Sequence, residues 1–184
     1  MKLPPDKPLV LLLAGLPGVG KTALAAALAP ALGGIILNRD DIRDRIFPPD
    51  YLDYSAAQNE VATATLLRVL SYLLGHHPPP LTLIDGKPFS RRSEIEAVER
   101  CTDQHGATLI VLHCVAAADV IADRLQRGLA NPVNVRAQRD PAKASRISGE
   151  FEPIVHKHIQ VDMTAPVLEV ARTVAHHIKE VESL

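Results

Sequence analysis

Short apolar runs alternate along the chain with longer segments in which apolar residues recur at helical spacing. Five of the short runs predict β-strands, and their alternation with helical segments is typical of a parallel sheet covered on both faces. The predicted strands are Leu9–Ala14, Ile35–Asn38, Leu81–Asp85, residues 109–115 and His158–Asp162. The pattern therefore predicts one α/β domain.

The segments between and after these strands predict five helices. They cover residues 21–32, 55–74, 90–105, 119–127 and 166–182. Residues 128–150 differ from the rest because they are polar and contain two prolines and four arginine or lysine residues. We expect this segment to form a mobile lid within a single domain spanning residues 1–184.

The longest predicted helix carries start and stop signals of its own. Ser55 and Gln58 form a capping-box pattern at its start, and Gly75 is expected to end it. Its apolar residues recur at helical spacing and predict one face toward the core. That face would comprise Val61, Leu66, Val69, Leu70 and Leu73.

A glycine-rich loop stands between the first predicted strand and the first predicted helix. Residues 15–22, GLPGVGKT, match the phosphate-binding pattern G-x-x-x-x-G-K-[ST] at every fixed position. In this pattern backbone N–H groups and the helix N-terminus hold the phosphates, the lysine reaches the β- and γ-phosphates, and the hydroxyl contacts Mg²⁺. A plain strand-to-helix turn is the alternative. The predicted nucleotide-binding residues are Gly15, Pro17, Gly18, Val19, Gly20, Lys21 and Thr22.

Two carboxylates follow the second predicted strand, at the sheet edge where open α/β folds bind ligands. If a helix starts near Asp40, then Asp40 and Arg43 share one face at i,i+3 spacing. Asp40 is then a candidate general base, and Arg43 is a candidate clamp for an anionic group on the substrate. The alternative is that Asp40 or Asp41 merely caps the helix and Arg43 merely pairs with it.

The third predicted strand ends in an acid, Asp85. A hydrophobic strand ending in an acid is the Walker-B arrangement, which holds Mg²⁺ directly or through water. Thr22 and Asp85 are therefore the predicted metal-binding residues, although Asp85 could also be a structural strand-end acid. Lys87 and Arg91 follow on the next loop and could contact an anionic substrate or simply be solvated surface charges.

Several arginines lie in or before the predicted lid. Arg124 and Arg127 precede it. An arginine that swings onto the β- and γ-phosphates would stabilise phosphoryl transfer. Arg127, next to the Gly128 hinge, is the first choice, and the other arginines are Arg136, Arg139 and Arg146.

Composition narrows the setting of the protein. The 184 residues include 20 basic and 21 acidic side chains, a formal net charge of −1, which does not favour binding to nucleic acid. Cys101 and Cys114 are isolated, which suggests a reducing, cytoplasmic setting. No segment is both long enough and apolar enough to be predicted as a membrane span. The eight histidines lack partners at metal-ligand spacing, and His113 is expected to be a hydrogen-bonded core residue.

Four segments together resemble a known group of enzymes. With GLPGVGKT, NRDDIR at residues 38–43, LIDG at residues 83–86 and RLQRG at residues 124–128, the chain resembles P-loop kinases grouped with polynucleotide 5′-hydroxyl kinases and zeta toxins. The resemblance implies a P-loop NTPase fold with five parallel strands in the order 2-3-1-4-5 and a lid arginine on ATP. It also implies Asp40 as general base, Arg43 on a phosphate of the acceptor and Asp85 near the metal.

The residues together predict an ATP-dependent kinase that phosphorylates a hydroxyl group with Mg²⁺ as cofactor. ATP is expected rather than GTP because the chain has no guanine-reading N-K-x-D-type segment. A small molecule such as a sugar, nucleoside or antibiotic is the expected acceptor. The alternatives are a 5′-hydroxyl end of RNA or DNA and, in another class, an acceptor-independent ATPase or ATP-binding regulator. The sequence does not identify a partner protein.

Overall fold

The computed structural model describes residues 7–129 and 146–182, and its centre is a parallel β-sheet. The sheet has the strand order β2-β3-β1-β4-β5, and all four neighbouring pairs are parallel. The predicted fold, with strands in the order 2-3-1-4-5, is thus confirmed. The strands are β1 (Leu9–Ala14), β2 (Ile35–Asn38), β3 (Leu81–Asp85), β4 (Thr108–Val115) and β5 (His158–Asp162).

Helices cover both faces of the sheet. One apolar cluster joins one face to α1, α5 and α6, and a second joins the other face to α3 and α4. Within the described ranges, no helix has both the length and the apolar character needed to cross a membrane. The helices are α1 (Lys21–Leu32), α2 (Arg39–Ile46), α3 (Ala56–His76), α4 (Arg92–Gln104), α5 (Ala118–Leu129) and α6 (Val167–Glu182), with a 3₁₀ turn at Pro49–Tyr51.

The central strand β1 is buried along its whole length. Leu11 and Leu13 pack into the cluster with α1 and α6, whereas Val10 and Leu12 pack into the cluster with α3 and α4. A strand covered on both faces needs a continuous apolar run, which is why its sequence shows no alternation. Because β1 is central, the loop that follows it lies between the carboxyl ends of β3 and β4.

Helix α3 differs from its prediction in its core face. Leu66 is 2% exposed and lies on the core side with Ala62, Leu70 and Leu74. The predicted core positions Val61 and Val69 were wrong, since they are 49% and 36% exposed. The core-facing residues repeat at i+4, so a narrow line of contact buries them and leaves the flanking apolar residues at the surface.

The ends of α3 follow the predicted signals only in part. Ser55 caps the helix by accepting a hydrogen bond from the Gln58 N–H. The Gln58 side chain instead binds the preceding turn, donating to the Tyr51 carbonyl at 2.6 Å. The helix continues through Gly75, where a Cβ would lie 3.1 Å from the His105 ring, so this glycine permits close packing rather than ending the helix.

The predicted lid falls mainly outside the described residues. Residues 130–145, with Arg136 and Arg139, belong to this part of the chain. Residues 146–149 are helical, and Arg146 at their start is exposed. The lid at residues 128–150 remains a prediction.

Two substitutions in α3 test the assignment of its core face. We expect Leu66→Ala to lower the free energy of unfolding by about 2 to 5 kcal/mol, because it leaves a cavity in a packed cluster. The control Val69→Ala should change it by less than about 1 kcal/mol, since Val69 lies at the surface. Urea unfolding followed by circular dichroism measures both, and equal losses would show that the face is assigned wrongly.

Candidate functional site

The glycine-rich loop is built around backbone conformations and contacts that favour glycine. Gly15 has φ 142°, and a Cβ there would lie 2.4 Å from the Cys114 carbonyl oxygen of β4. Its N–H donates to the Pro88 carbonyl at 2.9 Å, which joins the loop to the segment after β3. The loop is thus held on both sides by the neighbouring strand ends.

Lys21 folds back onto this loop. Its Nζ donates to the Gly15 carbonyl at 2.7 Å and to the Leu16 carbonyl at 2.9 Å, and the side chain is almost fully buried. The ammonium group therefore lies at the loop itself, where an anion bound by the loop amides would meet it.

Thr22 and Asp85, the predicted metal-binding pair, are in direct contact. The Thr22 hydroxyl donates to Asp85 Oδ2 at 2.7 Å, and the Asp85 side chain is fully buried. Asp85 Oδ1 is also buried, and no hydrogen-bond donor reaches it from the described residues. An unsatisfied carboxylate oxygen beside a hydroxyl is a donor set that Mg²⁺ accepts, so these residues fit a magnesium ion.

No larger ligand set is present among the described residues. None of their His, Cys, Asp and Glu side chains gather in groups of three or more that could hold a metal. Mg²⁺ commonly takes one or two protein ligands and completes its shell with water and phosphate oxygens. Thr22 and Asp85 therefore suit an ion that arrives with a phosphate-bearing ligand.

Asn38, the last residue of β2, connects the metal pair to α2. Its amide Nδ2 donates to Asp85 Oδ2 at 2.9 Å, and its Oδ1 accepts from the N–H groups of Asp40 and Asp41. Asn38 was not among the predicted site residues. Its place before a helix could have suggested an N-cap, but the bond to Asp85 depends on the pairing of β2 with β3, which sets Asn38 opposite Asp85.

Arg39 and Gly86 strengthen the same junction. The Arg39 guanidinium donates to the Gly86 carbonyl from Nη2 at 2.7 Å and from Nε at 3.1 Å. Gly86 has φ 89°, and a Cβ there would lie 2.5 Å from Asn38 Oδ1. The start of α2 therefore lies directly against the end of β3, and only glycine allows this approach.

The structure brings Asp40 and Arg43 together at the start of α2. Arg43 Nη1 lies 2.9 Å from Asp40 Oδ1, and Arg39 Nη2 lies 3.1 Å from the same oxygen. The guanidinium of Arg43 is buried, bonds to Asp44 and Asn59 as well, and lies 4.5 Å from the centre of the Tyr54 ring. Asn38 rather than an aspartate caps the helix, so the carboxylate of Asp40 is not used as a cap.

Lys87 and Arg91 lie apart from this cluster. Lys87 forms an ion pair with Glu94 at 3.0 Å, and Arg91 directly precedes α4 with its side chain largely in solvent, 3.9 Å from Glu150. In the described part of the chain neither side chain is paired with a residue of α2. Their proposed contact with substrate stays a prediction.

The two arginines before the predicted lid occupy different positions. Arg124 donates to the Val19 carbonyl of the loop at 2.9 Å and to the Met163 carbonyl after β5 at 2.7 Å. Arg127 is 79% exposed at its side chain and pairs with Asp123 at 2.9 Å. Arg124 is thus the one that supports the loop, while a movement of Arg127 onto a ligand stays a prediction.

His113 is not the hydrogen-bonded core residue that was expected. It is half-buried, its ring stacks on Phe151 at a centroid distance of 5.6 Å, and within the described ranges its imidazole makes no hydrogen bond. Its neighbour Cys114 is buried beside the loop, and burial raises the pKa of its thiol to about 12. Cys114 is therefore a packing residue and not a nucleophile.

A pair of helix caps tests the special position of Asn38. We expect Ser55→Ala to lower the free energy of unfolding by about 1 kcal/mol, the usual value of an N-cap. Asn38→Ala should cost about 2 to 3 kcal/mol, because it also removes the bond to buried Asp85. Urea unfolding of the two variants measures the difference, and equal losses would mean that the bond between Asn38 and Asp85 adds nothing.

Sequence comparison relates the chain to one family. A family model described as an AAA domain matches residues 10–153. The "Uncharacterized protein Rv2004c" of Mycobacterium tuberculosis (strain ATCC 25618 / H37Rv) is 29% identical over an alignment of 145 residues, and the match covers 73% of this chain and 28% of that protein. The chain therefore spans about a quarter of the length of the curated relatives that it matches.

Solved structures share the architecture. A candidate kinase from Chloroflexus aurantiacus has a TM-score of 0.72 at 22% identity and covers 94% of this chain and 99% of its own. The APS kinase of Mycobacterium tuberculosis, solved with AMPPNP and APS, has a TM-score of 0.70 at 15% identity (95% and 99% covered). The shikimate kinase of Acinetobacter baumannii, solved with shikimate, has a TM-score of 0.64 at 16% identity (96% and 95%). The fold is thus that of P-loop kinases, and the family match over most of the chain shows that the protein belongs to the AAA domain family.

Proposed function

We propose that the protein is an ATP-dependent kinase that transfers the γ-phosphoryl group to a hydroxyl group of a small molecule. One observation carries this proposal: Asn38 bonds to Asp85 and to the first turn of α2, which bears Asp40. Asp85 in turn contacts Thr22 of the loop. A phosphate-binding loop, a metal-binding acid and a candidate base therefore form one connected unit.

The loop and its neighbours would bind the nucleotide. Its amides and Lys21 suit the β- and γ-phosphates, and Arg124 would keep the loop in position through Val19. Thr22 and Asp85 would hold Mg²⁺, which would offset the negative charge of the phosphates. The AMPPNP in the APS kinase structure is consistent with such a role for the shared fold.

Asp40 would act on the acceptor. Its carboxylate takes the proton of the acceptor hydroxyl, the oxygen bonds to the γ-phosphorus, and the bond from that phosphorus to the β,γ-bridging oxygen breaks to release ADP. Arg39 and Arg43 both contact Oδ1 and so orient the carboxylate. A lid arginine, with Arg127 as the candidate, would stabilise the charge on the transferred group.

Several features favour a small acceptor over a nucleic acid end. Arg43 is buried and shares its guanidinium among Asp40, Asp44 and Asn59, which leaves it little capacity for a backbone phosphate. Lys87 is paired with Glu94, and the formal net charge is −1. Two of the kinases of similar fold, the APS kinase and the shikimate kinase, were solved with the small molecules APS and shikimate.

Substitution of the proposed base tests the reaction. We expect Asp40→Asn to lower turnover by about 10² to 10⁴-fold, because the amide cannot accept the proton, while ATP affinity stays within about threefold. Asp41→Asn, the neighbouring carboxylate in the same helix, is the control and should retain most of the activity. Transfer of label from γ-labelled ATP to a panel of sugars, nucleosides and aryl alcohols measures turnover.

Three results would contradict this proposal. Equal losses of ATP affinity and turnover in Asp40→Asn would make Asp40 structural. Labelling of a 5′-hydroxyl RNA or DNA end in preference to every small molecule would replace the acceptor class, and such labelling should weaken as salt rises. ADP release that no acceptor stimulates would indicate an ATPase or a regulatory ATP-binding module.

A pair of substitutions at Thr22 tests the metal site. Thr22→Val keeps the shape but removes the hydroxyl, so we expect the affinity for AMPPNP with Mg²⁺ to fall about tenfold or more. Thr22→Ser retains the hydroxyl and should stay within about threefold of the wild type. Calorimetric titrations with Mg²⁺ and with EDTA provide the measurement, and a Thr22→Val loss that persists unchanged in EDTA would argue against a metal contact.

A further inference from the structure

A cavity of about 240 Å³ lies beside the glycine-rich loop and has no assigned role in the site described above. Leu16 and Val19 of the loop form one wall, and Ile121 of α5 adjoins them. His113 and Ala116 line it from the end of β4, and Phe151 closes the opposite side. At about 30 Å³ for each water molecule, the cavity has room for about eight waters. A single ring with a short substituent has a similar number of non-hydrogen atoms.

The walls of the cavity are apolar and uncharged. Among the described residues that line it, none is a lysine, arginine, aspartate or glutamate. The lining also contains the polar side chains of Ser148 and His113, and the His113 ring stacks on Phe151 and meets the His158 ring edge-on at 6.1 Å. Burial, and to a smaller extent the neighbouring His158, lowers the pKa of His113, so the imidazole is neutral near pH 7. A neutral imidazole can donate one hydrogen bond and accept another.

The Phe151 wall of the cavity is joined to the chain that follows β3. The Glu152 N–H, next to Phe151, donates to the Ser90 carbonyl at 2.8 Å, and the Arg92 N–H donates to the Glu152 carboxylate at 2.7 Å. The wall that contains Phe151 is therefore fastened to the segment that leaves β3 after Asp85. The loop is fastened to this same segment through the bond between Gly15 and Pro88. The cavity thus lies beside the loop at the carboxyl ends of β1 and β4, and both the loop and the Phe151 wall are bonded to the chain that follows β3.

We propose that this cavity binds an uncharged, ring-sized part of the acceptor, and that His113 forms a hydrogen bond with it. The inference rests on the proposed kinase function and narrows the acceptor class to neutral alcohols that carry an aromatic or alicyclic ring. Hydroxy acids are disfavoured because a carboxylate buried here would lose its hydration without meeting a cation from the described lining. Apolar walls with one or two polar groups are the usual composition of a small-molecule pocket.

Two probes of matched shape test the proposal. Benzyl alcohol is neutral, and 4-(hydroxymethyl)benzoate adds a carboxylate to the same ring. We measure their binding to the full chain by NMR titration in the presence of Mg²⁺ and AMPPNP. Benzyl alcohol should bind together with AMPPNP, and 4-(hydroxymethyl)benzoate should bind at least about tenfold more weakly, as expected when a charge is buried without a partner.

Three variants locate the binding. Ala116→Leu fills the cavity and should weaken benzyl alcohol binding at least tenfold, whereas Ala118→Leu, at an exposed position on α5, should leave it unchanged. His113→Leu keeps an apolar lining but removes the imidazole, and should weaken binding about threefold to tenfold, the value of one hydrogen bond. AMPPNP affinity should stay within about twofold in all three, which also shows that they fold.

Four outcomes would overturn the inference: no binding of benzyl alcohol, equal binding of the two probes, displacement of benzyl alcohol by AMPPNP, or unchanged binding in Ala116→Leu. Displacement by AMPPNP would assign the cavity to the nucleotide. Failure of the proposed kinase function looks different, because benzyl alcohol would still bind beside AMPPNP while no label passed from ATP to any acceptor. The two failures are therefore separable in the same set of samples.

Discussion

The hydrogen bond between Asn38 and Asp85 joins the two strand ends on which the rest of the site depends. Strand β2 has only four residues and lies at the edge of the sheet, where Ile35 and Ile36 remain partly exposed. Such a strand has little apolar burial to hold its end in register. The hydrogen bond from Asn38 to Asp85 and the bonds from Arg39 to the Gly86 carbonyl add polar contacts that hold this strand end in place. The start of α2, and with it Asp40, is thereby fixed relative to the loop.

The burial of Asp85 at this junction is costly to stability. Asp85 is fully buried, and its Oδ1 has no donor among the described residues. An unsatisfied buried carboxylate oxygen destabilises a fold by a few kcal/mol unless a ligand or cation completes its contacts. A strand end that served packing alone would be more stable with an apolar residue here. Departures from stable packing tend to lie at functional sites, and this one lies where the loop, β2 and β3 meet.

Local sequence patterns predicted much of this site. The features that these patterns did not predict depend on contacts between residues far apart in sequence. The loop spacing, the apolar strands and the i,i+3 relation of Asp40 and Arg43 depend on neighbours in sequence, so they could be predicted. The bond of Asn38 to Asp85 spans 47 residues, and that of Arg124 to Val19 spans 105, so no local pattern contains them. The core face of α3 was misassigned because Val61 and Val69 have the right character but lie beside the line of contact. Whether Arg127 reaches a phosphate depends partly on residues 130–145, outside the described chain.

The apolar cavity bears on how a phosphoryl-transfer site of this kind would avoid hydrolysing ATP. Water competes with any acceptor hydroxyl for the γ-phosphorus, so a kinase benefits from excluding water until the acceptor is bound. Leu16 and Val19 of the loop, together with Phe151, present apolar surface to this cavity. An acceptor whose ring filled this space would remove that surface from water and displace solvent next to the loop. A bound ring would also fix the orientation of the reacting hydroxyl oxygen. Binding energy from the ring would then raise the rate of transfer as well as the affinity for the acceptor.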